Sequence, residues 1–420
     1  MKQTKLFSKT VKEVSKEETS RNAQLLIRGG FVDKLMAGVY SLLPLGLRVF
    51  KKIEQIIREE MEAIGGQEVF LPTLHPKENW FKTGRWESMD DLYKLKIGNR
   101  EFALAPTHEE VISPLAKKFI SSYKDLPANL FQFQNKFRKE LRAKSGVLRG
   151  KEFIMKDLYS FSRSQEELDV YYEKVKKAYK RIFERCGIGD KTYLTYASGG
   201  TFSKYSHEFQ ALTEAGEDLI YICDKCRVAI NKEILEDQKG QCPECGNTNL
   251  REEKAVEVGN IFKLGTKFSE PFDLDYLDEK GKKRMIIMGC YGIGLQRLMG
   301  TIVEIFNDDK GIIWPESVAP FKLHIISLAG SGDNPVYKKA ESLYGELRTK
   351  GVETLWDDRL DKTPGEKFAD ADLLGIPYRI VVSEKNAKEE WLEVKKRNAD
   401  RIEKMSFSAL LERLEKSAGR

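Results

Sequence analysis

The sequence predicts a chain of mixed helices and strands that ends in a small α/β domain. Three observations carry this. A polar–apolar alternation from Phe131 to Glu140, resumed at Phe153–Met155, reads as an antiparallel hairpin. Long amphipathic stretches stand on either side of it, and from Phe321 onward strand and helix patterns alternate.

The hairpin runs from Gln132 to Phe161. Gln132, Gln134, Lys136, Arg138 and Glu140 alternate with Phe131, Phe133 and Phe137, which puts a polar set on one face and aromatics on the other. Its loop holds Arg142, Lys144, Gly146, Arg149 and Lys151. Arginine grips phosphate or carboxylate through paired hydrogen bonds and never loses its charge, so the hairpin suits an anion site, with a solvated basic loop as the commoner reading of such a charge run.

The other elements follow in order. Val49, Phe50, Ile53, Ile56, Ile57, Met61 and Ile64 mark one face of a helix over 47–64 that Gly65-Gly66 stops. Gln67 to Leu71 reads as a strand ended by Pro72. Phe102 to Glu110 is a strand that stops at Pro106 and then presents Thr107, His108, Glu109 and Glu110. No second histidine follows at metalloprotease spacing, and a capping box from Thr107 to Glu110 is the local alternative. A further amphipathic helix spans 165–185, and Ser198 to Phe209 is a glycine-led loop entering a strand. Cys223-x-x-Cys226 and Cys242-x-x-Cys245, fifteen residues apart, have the spacing of a four-thiolate zinc ribbon, a closed and therefore structural site. A redox thiol pair is the competing reading, but neither pair has a thioredoxin-like βαβ context. Met285–Met288 lead into Gly289, Gly292 and Gly294 and then a helix carrying Arg297. Beyond Trp314-Pro315 and Ala319-Pro320, strands at KLHIISLA, VETLWDD and YRIVV alternate with helices, which predicts a mostly parallel sheet. A helix over 407–416 ends the pattern.

Composition bounds the function. At 420 residues there is room for two or three domains. The net charge of +6 comes from 71 basic and 65 acidic residues, so any polyanion-binding surface must be local. Six cysteines do not make a disulfide scaffold in a chain of this length. No segment approaches the roughly 20 apolar residues that span a bilayer, and the first residues hold no signal-like apolar run, so a cytoplasmic protein is expected.

Phe137-Arg138-Lys139-Glu140, with Arg149-Gly150-Lys151-Glu152-Phe153 and Met155-Lys156-Asp157, resembles motif 2 of class II aminoacyl-tRNA synthetases in its prolyl form. The resemblance implies Arg138 on the ATP α-phosphate and the amino-acid carboxylate, Glu140 near the adenine amino group, Arg149 on the outer phosphates and Phe153 stacked on adenine. The 47–64 helix, the strand and Pro72 resemble motif 1, which implies a homodimer. Met285 to Arg297 resembles motif 3, with Arg297 on the γ-phosphate and Cys290 against the proline ring. Thr107-x-Glu109 resembles the family's pair that holds the substrate amino group. This suits a secondary ammonium, which needs a counter-ion and a neutral acceptor. The Ser198–Phe209 segment resembles a pocket-lining loop, which makes His207 and Phe209 proline-site candidates. Asp357–Pro377 resembles the anticodon-binding domain shared with the threonyl, histidyl and glycyl enzymes, with Asp372 and Arg379 placed for anticodon guanines.

The implied fold is an α+β catalytic domain, an antiparallel sheet flanked by helices, over 1–221 and 259–320. A zinc-ribbon insertion at 222–258 takes the place of an editing domain, and an α/β anticodon-binding domain covers 321–420. The implied activity is prolyl-tRNA synthesis from L-proline, ATP with Mg²⁺, and tRNA(Pro), with Arg138 and Arg297 as catalytic residues and Zn²⁺ on the four cysteines; whether a separate trans-editing protein clears mischarged tRNA is left open by the sequence. Two rivals compete. A synthetase for another amino acid would need other polar groups than Thr107, Glu109 and Cys290. A non-catalytic paralogue that binds RNA or serves as an accessory subunit would have lost the ATP-site residues, all of which are present.

Overall fold

In the computed structural model, which describes residues 1–418 apart from 141–144, 201 and 203, the hairpin forms as two long strands, Ala128–Phe137 and Glu152–Ser162, paired antiparallel from Ala128↔Phe161 to Phe137↔Glu152. Arg142 and Lys144 lie outside the described residues. The chain divides into two compact units. One comprises Met36–Val39 and Glu54–Thr301, the other Met1–Leu35, Tyr40–Ile53 and Ile302–Arg420. This division falls inside the expected segments 1–221 and 259–320 and leaves 222–258 whole within the first unit.

The first unit is built on a nine-stranded sheet with the hairpin near one edge. Glu152–Ser162 pairs antiparallel with Ile287–Gly294, which pairs antiparallel with Arg251–Gly265. Among the described residues of this sheet, parallel pairing occurs where Gln67–Glu68 meets Leu130–Phe131 and where Val228–Asn231 meets the strand Thr192–Ser198. The residues expected as a separate ribbon partly belong to this sheet, since Asp218–Cys223 and Val228–Asn231 are two of its strands. One face is covered by the helix Gln165–Arg185, which Ser164 caps through its hydroxyl and which buries Leu168, Tyr172, Val175, Tyr179 and Phe183. The helix Pro44–Ala63 ends as expected, with Gly65 at φ +85° and the Gly66 amide on the Met61 carbonyl.

The strand expected at 67–71 is only two residues long. Val69 still donates to the Phe131 carbonyl, but Leu71 is held by side chains, its amide by Gln132 Oε1 at 3.0 Å and its carbonyl by Gln134 Nε2. Glutamines on the neighbouring strand thus replace the ladder before Pro72.

The polar face of the hairpin faces inward. Gln132, Gln134 and Lys136 are buried, and Lys136 Nζ lies 2.8 Å from Asp157 Oδ1 and 2.6 Å from His108 Nδ1. Asp157 Oδ2 also accepts from Gln132 Nε2 (2.9 Å) and the Tyr159 hydroxyl (2.8 Å). Because the ammonium donates to Nδ1, the His108 proton sits on Nε2, which donates to the Pro72 carbonyl at 3.2 Å; His75 Nε2 reaches the same carbonyl at 3.0 Å. Burial would raise the Asp157 carboxyl, but Lys136 and His108 hold it below its ordinary value.

The second unit carries a five-stranded sheet in the order 354–357, 323–327, 378–382, 392–396, 402–405. The first three strands are parallel, as expected, but Leu392–Lys396 and Ile402–Met405 add antiparallel pairings that the sequence pattern did not give. Those strands are short and charged, with only Leu392 and Val394 buried, so their alternation is faint. The helices Pro335–Thr349 and Phe407–Ala418 contribute to an apolar core around Trp356. Residues from the start of the chain dock on the same unit: Thr4 binds the Asp358 carboxylate through its amide (2.9 Å) and hydroxyl (2.6 Å).

Two predictions follow from this packing. Replacing Lys136 by Met strands a buried carboxylate and is expected to cost about 3–5 kcal/mol in chemical denaturation. Adding Asp157→Asn in the same chain should recover part of that loss. All four histidines are held down by burial, His108 to about 2 and His75, His207 and His324 to about 4, from an ordinary 6.5. Their folded values are depressed, so the stability they leave intact above pH 6.5 is lost as pH falls, because only the unfolded chain takes up the protons. Denaturation at decreasing pH should show a decline of ~1.4 kcal/mol per pH unit for each histidine below that point, with net proton uptake on unfolding.

Candidate active site

On the sheet face opposite the helix Gln165–Arg185, the hairpin, the Arg251–Gly265 strand and the glycine-bearing strand enclose a cavity of about 230 Å³. Side chains alternate along Ile287–Gly294, so Tyr291 packs near Tyr171 and Tyr172 while Cys290, Gly292 and Gly294 line the cavity. A Cβ at Gly292 would lie 3.3 Å from Met155 Sδ, and any longer side chain would grow into the cavity.

Three guanidinium groups line this space. Arg138 follows the first hairpin strand directly. Its Nε and one terminal nitrogen each lie 3.3 Å from the Pro106 carbonyl, and its guanidinium sits 5.2 Å from the Phe153 ring. Arg297, in the first turn of the helix Leu295–Ile305, donates to the Leu148 carbonyl (2.9 Å) and the Glu257 carbonyl (3.1 Å), and lies 3.3 Å from the Glu257 carboxylate. Arg149 pairs with Glu140 at 3.0 Å and with Glu217. Glu140 and Phe153 also line the cavity, so all five residues expected for ATP are brought together.

Thr107 and Cys290 share the cavity and meet at Glu109. The Thr107 hydroxyl donates to Glu109 Oε2, and the Cys290 thiol donates to Glu109 Oε1 at 3.1 Å. Burial, then the Glu109 charge, raises the Cys290 thiol well above its usual range, so it stays protonated and donates. The capping box between Thr107 and Glu110 does not form. The helix Glu109–Ala116 starts after His108 without a side-chain cap, and Glu110 instead accepts from Arg85 (2.9 Å) and Thr83 (3.0 Å).

His207 and Phe209 are not brought to this cavity. Their strand, Tyr205–Leu212, turns them toward the helix: the Tyr172 hydroxyl meets His207 Nδ1 at 2.8 Å, the Tyr196 ring lies 4.6 Å from His207, and Phe209 packs on Tyr179 and Phe183. Period 2 separates them from Glu208, whose Oε1 lies 3.3 Å from Asn260 Nδ2 at the cavity lining. The glycine-led loop contributes Phe202, which packs on Phe262 and Phe268. Sequence reasoning missed Phe202, Glu208, Glu257 and Asn260; the available signal was the alternation of Glu208 against His207. Glu208 is raised to about 8 by burial and then by the Glu257 charge, and Asn260 Oδ1 is buried without a partner, so these oxygens suit a hard cation.

The four ribbon cysteines converge, with all four sulfurs within 4.8 Å of one another and Cys223 Sγ 3.8 Å from Cys245 Sγ. Tetrahedral zinc with bonds of ~2.3 Å puts its sulfurs ~3.8 Å apart, so this donor set is compatible with zinc. In the other unit, Arg379 pairs with Asp372 at 2.9 Å, and Asp372, Arg379, Lys395 and Arg397 surround a small depression.

Residues 93–306 match a family described as tRNA synthetase class II core domain (G, H, P, S and T), and residues 322–417 match an anticodon binding domain. The proline–tRNA ligase of Syntrophomonas wolfei is 34% identical, over 99% of this chain and 98% of its own. That of Moorella thermoacetica is 35% identical, over 95% of each. The first alignment runs over 564 positions against 420 residues here, so that relative carries segments with no counterpart in this chain. A crystal structure of the prolyl-tRNA synthetase from Cryptosporidium parvum, complexed with halofuginone and AMPPNP, has a TM-score of 0.77 at 19% identity and covers 97% of this chain and 80% of that one, which places the fold. Class II core, anticodon-binding domain and full-length likeness agree, and the chain belongs to the proline–tRNA ligases, the enzymes that activate proline with ATP and charge it onto tRNA.

Proposed function

We propose that the cavity carries out proline activation with the roles its geometry allows. Proline enters with its ammonium between the Glu109 carboxylate and the Thr107 hydroxyl. Its carboxylate lies toward Arg138, and its ring lies toward Cys290 and Phe202. ATP stacks its base on Phe153 near Glu140, and its phosphates meet Arg138, Arg149 and Arg297. The proline carboxylate oxygen attacks the α-phosphorus and pyrophosphate leaves. A terminal ribose hydroxyl of the tRNA then attacks the prolyl carbonyl and AMP leaves. No side-chain nucleophile is needed, and positioning with charge neutralisation supplies the rate. The observation that carries this reading is the convergence of three guanidinium groups with the Thr107–Glu109–Cys290 cluster on one cavity. Mg²⁺ would bind with ATP at Glu257 and Asn260, where it would neutralise phosphate charge.

Further assignments accompany it. The four cysteines hold Zn²⁺ in a closed site with no position for water or substrate. A homodimer forms along the edge that begins at Gln67, where Phe70 is 80% exposed beside the outermost strand. Asp372 and Arg379 read anticodon bases. Among the described residues no helix is long and apolar enough to cross a membrane, and all six cysteines are free, which suits a reducing cytoplasm. The chain carries no editing domain in cis, a reading that fits the segments of a longer relative that have no counterpart here.

Amino-acid-dependent ATP–pyrophosphate exchange across the twenty amino acids tests the central reading. Exchange is expected with proline, and Arg138→Ala should lower kcat/KM about a hundredfold or more in folded protein. Exchange that is absent, or indifferent to Arg138, would refute the assignment. For the ribbon, elemental analysis should find one zinc per chain. Cys226→Ser should lose it together with several degrees of Tm, while the proline KM of the folded remainder stays unchanged.

A further inference from the structure

Glu109 and Glu110 are consecutive carboxylates and neither has any solvent exposure. One cation serves both: Arg85 lies 2.9 Å from Glu110 Oε1 and 3.8 Å from Glu109 Oε2, and it has no other ion pair among the described residues. Arg85 is itself 8% exposed, and the rings of Trp80, Phe202 and Phe268 stand within 5.3–5.4 Å of its guanidinium. Two buried carboxylates against one guanidinium are an arrangement that burial makes costly: burial pushes the Glu110 carboxyl up to about 7, Arg85 opposes that rise and the adjacent Glu109 adds to it.

The two acids are not equivalent. Glu110 is committed to structure, accepting from Arg85 and Thr83 while its carbonyl accepts from Asn79 Nδ2 at 2.8 Å. Beyond the 3.8 Å approach of Arg85, Glu109 takes, among the described residues, the Thr107 hydroxyl and the Cys290 thiol, two neutral donors that line the substrate cavity. Glu110 keeps one buried oxygen, Oε2, without a partner, but it is Glu109 that the cavity-lining Thr107 and Cys290 hold, so Glu109 is the acid a substrate cation can reach.

We infer that Arg85 is a positioning residue for proline recognition: by engaging Glu110 at 2.9 Å it is held back from closer contact with Glu109, so that the substrate ammonium completes the charge balance there. Glu110 is the other half of the device. Without it, Arg85 is close enough to pair with Glu109 and compete with the substrate. Without Arg85, two adjacent buried acids face each other with no cation between them, and the Glu110 carboxyl loses the charge that holds it down. Phe202 ties the arrangement to the cavity, since its ring packs near Arg85 and also lines the site.

The inference rests on the reading of Glu109 as the ammonium acceptor, and the test separates the two. Proline and ATP KM values are measured by pyrophosphate exchange for Glu109→Gln, Arg85→Gln, Glu110→Gln and the double variant R85Q/E110Q, each checked for a native melting transition. Glu109→Gln should raise the proline KM about a hundredfold; no change would refute the acceptor reading itself. Arg85→Gln and Glu110→Gln should each raise the proline KM about tenfold with the ATP KM unchanged. The double variant, which leaves Glu109 as the single acid with no competing guanidinium, should lie closer to the parent than either single change. Single variants with unaltered proline KM, equal effects on proline and ATP, or a double variant whose loss is the product of the two would overturn the role of Arg85. If Arg85→Gln does not fold, Glu110→Gln and the double variant still decide it.

Discussion

The buried pair Lys136–Asp157 is the constraint on which the catalytic unit depends. Two charges taken out of water are tolerated only with close partners, and here Gln132 and Tyr159 serve Asp157 Oδ2, His108 serves the ammonium, and Oδ1 rests on the ion pair itself. The pair joins the two hairpin strands, one residue on each, while His108 links them to the turn that carries Thr107 and Glu109. The network therefore fixes the hairpin against the Pro106 turn, and Arg138, two residues beyond Lys136, shares that turn through the Pro106 carbonyl. A substrate carboxylate and a substrate ammonium can be held at one fixed separation because the groups that bind them share this rigid base.

Charge is distributed unevenly around the cavity. Arginines that never lose their proton face the space expected for phosphate, each steadied by backbone carbonyls or by carboxylates: Arg297 on Leu148 and Glu257, Arg149 on Glu140 and Glu217. Carboxylates sit where a cation is expected, and the buried thiol of Cys290 donates to one of them. These dipoles and charges are in place before any ligand arrives, so little reorganisation remains for the reaction step. The thiolate cluster stands apart from this chemistry. Its sulfurs converge on one another, and the adjoining strands Asp218–Cys223 and Val228–Asn231 are strands of the main sheet, so closure of that cluster bears on the sheet rather than on the cavity.

Much of this was legible in the sequence because it is local. The hairpin, the helices 165–185 and 44–63, the paired cysteines and the α/β alternation after Phe321 rest on period 2, period 3.6 or fixed spacing, and those periods survive folding unchanged. Resemblance to a known family then gathered Arg138, Glu140, Arg149, Phe153, Arg297, Thr107, Glu109 and Cys290, and these residues do line or adjoin one cavity. What failed has a common origin. His207 and Phe209 sit on a strand whose two faces are both buried, so composition could not tell which face meets the substrate and which meets the helix. The strand at 67–71 was shortened by two glutamines sixty residues away, and the last two strands of the second unit are too charged to show an alternation.

The sequence by itself determined the reaction class and most of the groups that serve it, since these reside in residue types at fixed intervals. Only the tertiary structure decided that the hairpin's polar face points inward, that His108 is a neutral donor to Pro72, and that Glu109 and Glu110 divide their duties around Arg85. Each of these depends on which side of a strand or turn is dehydrated and on which distant side chain arrives to satisfy it. Desolvation and pairing across the sheet are properties of packed neighbours, and they have no period along the chain.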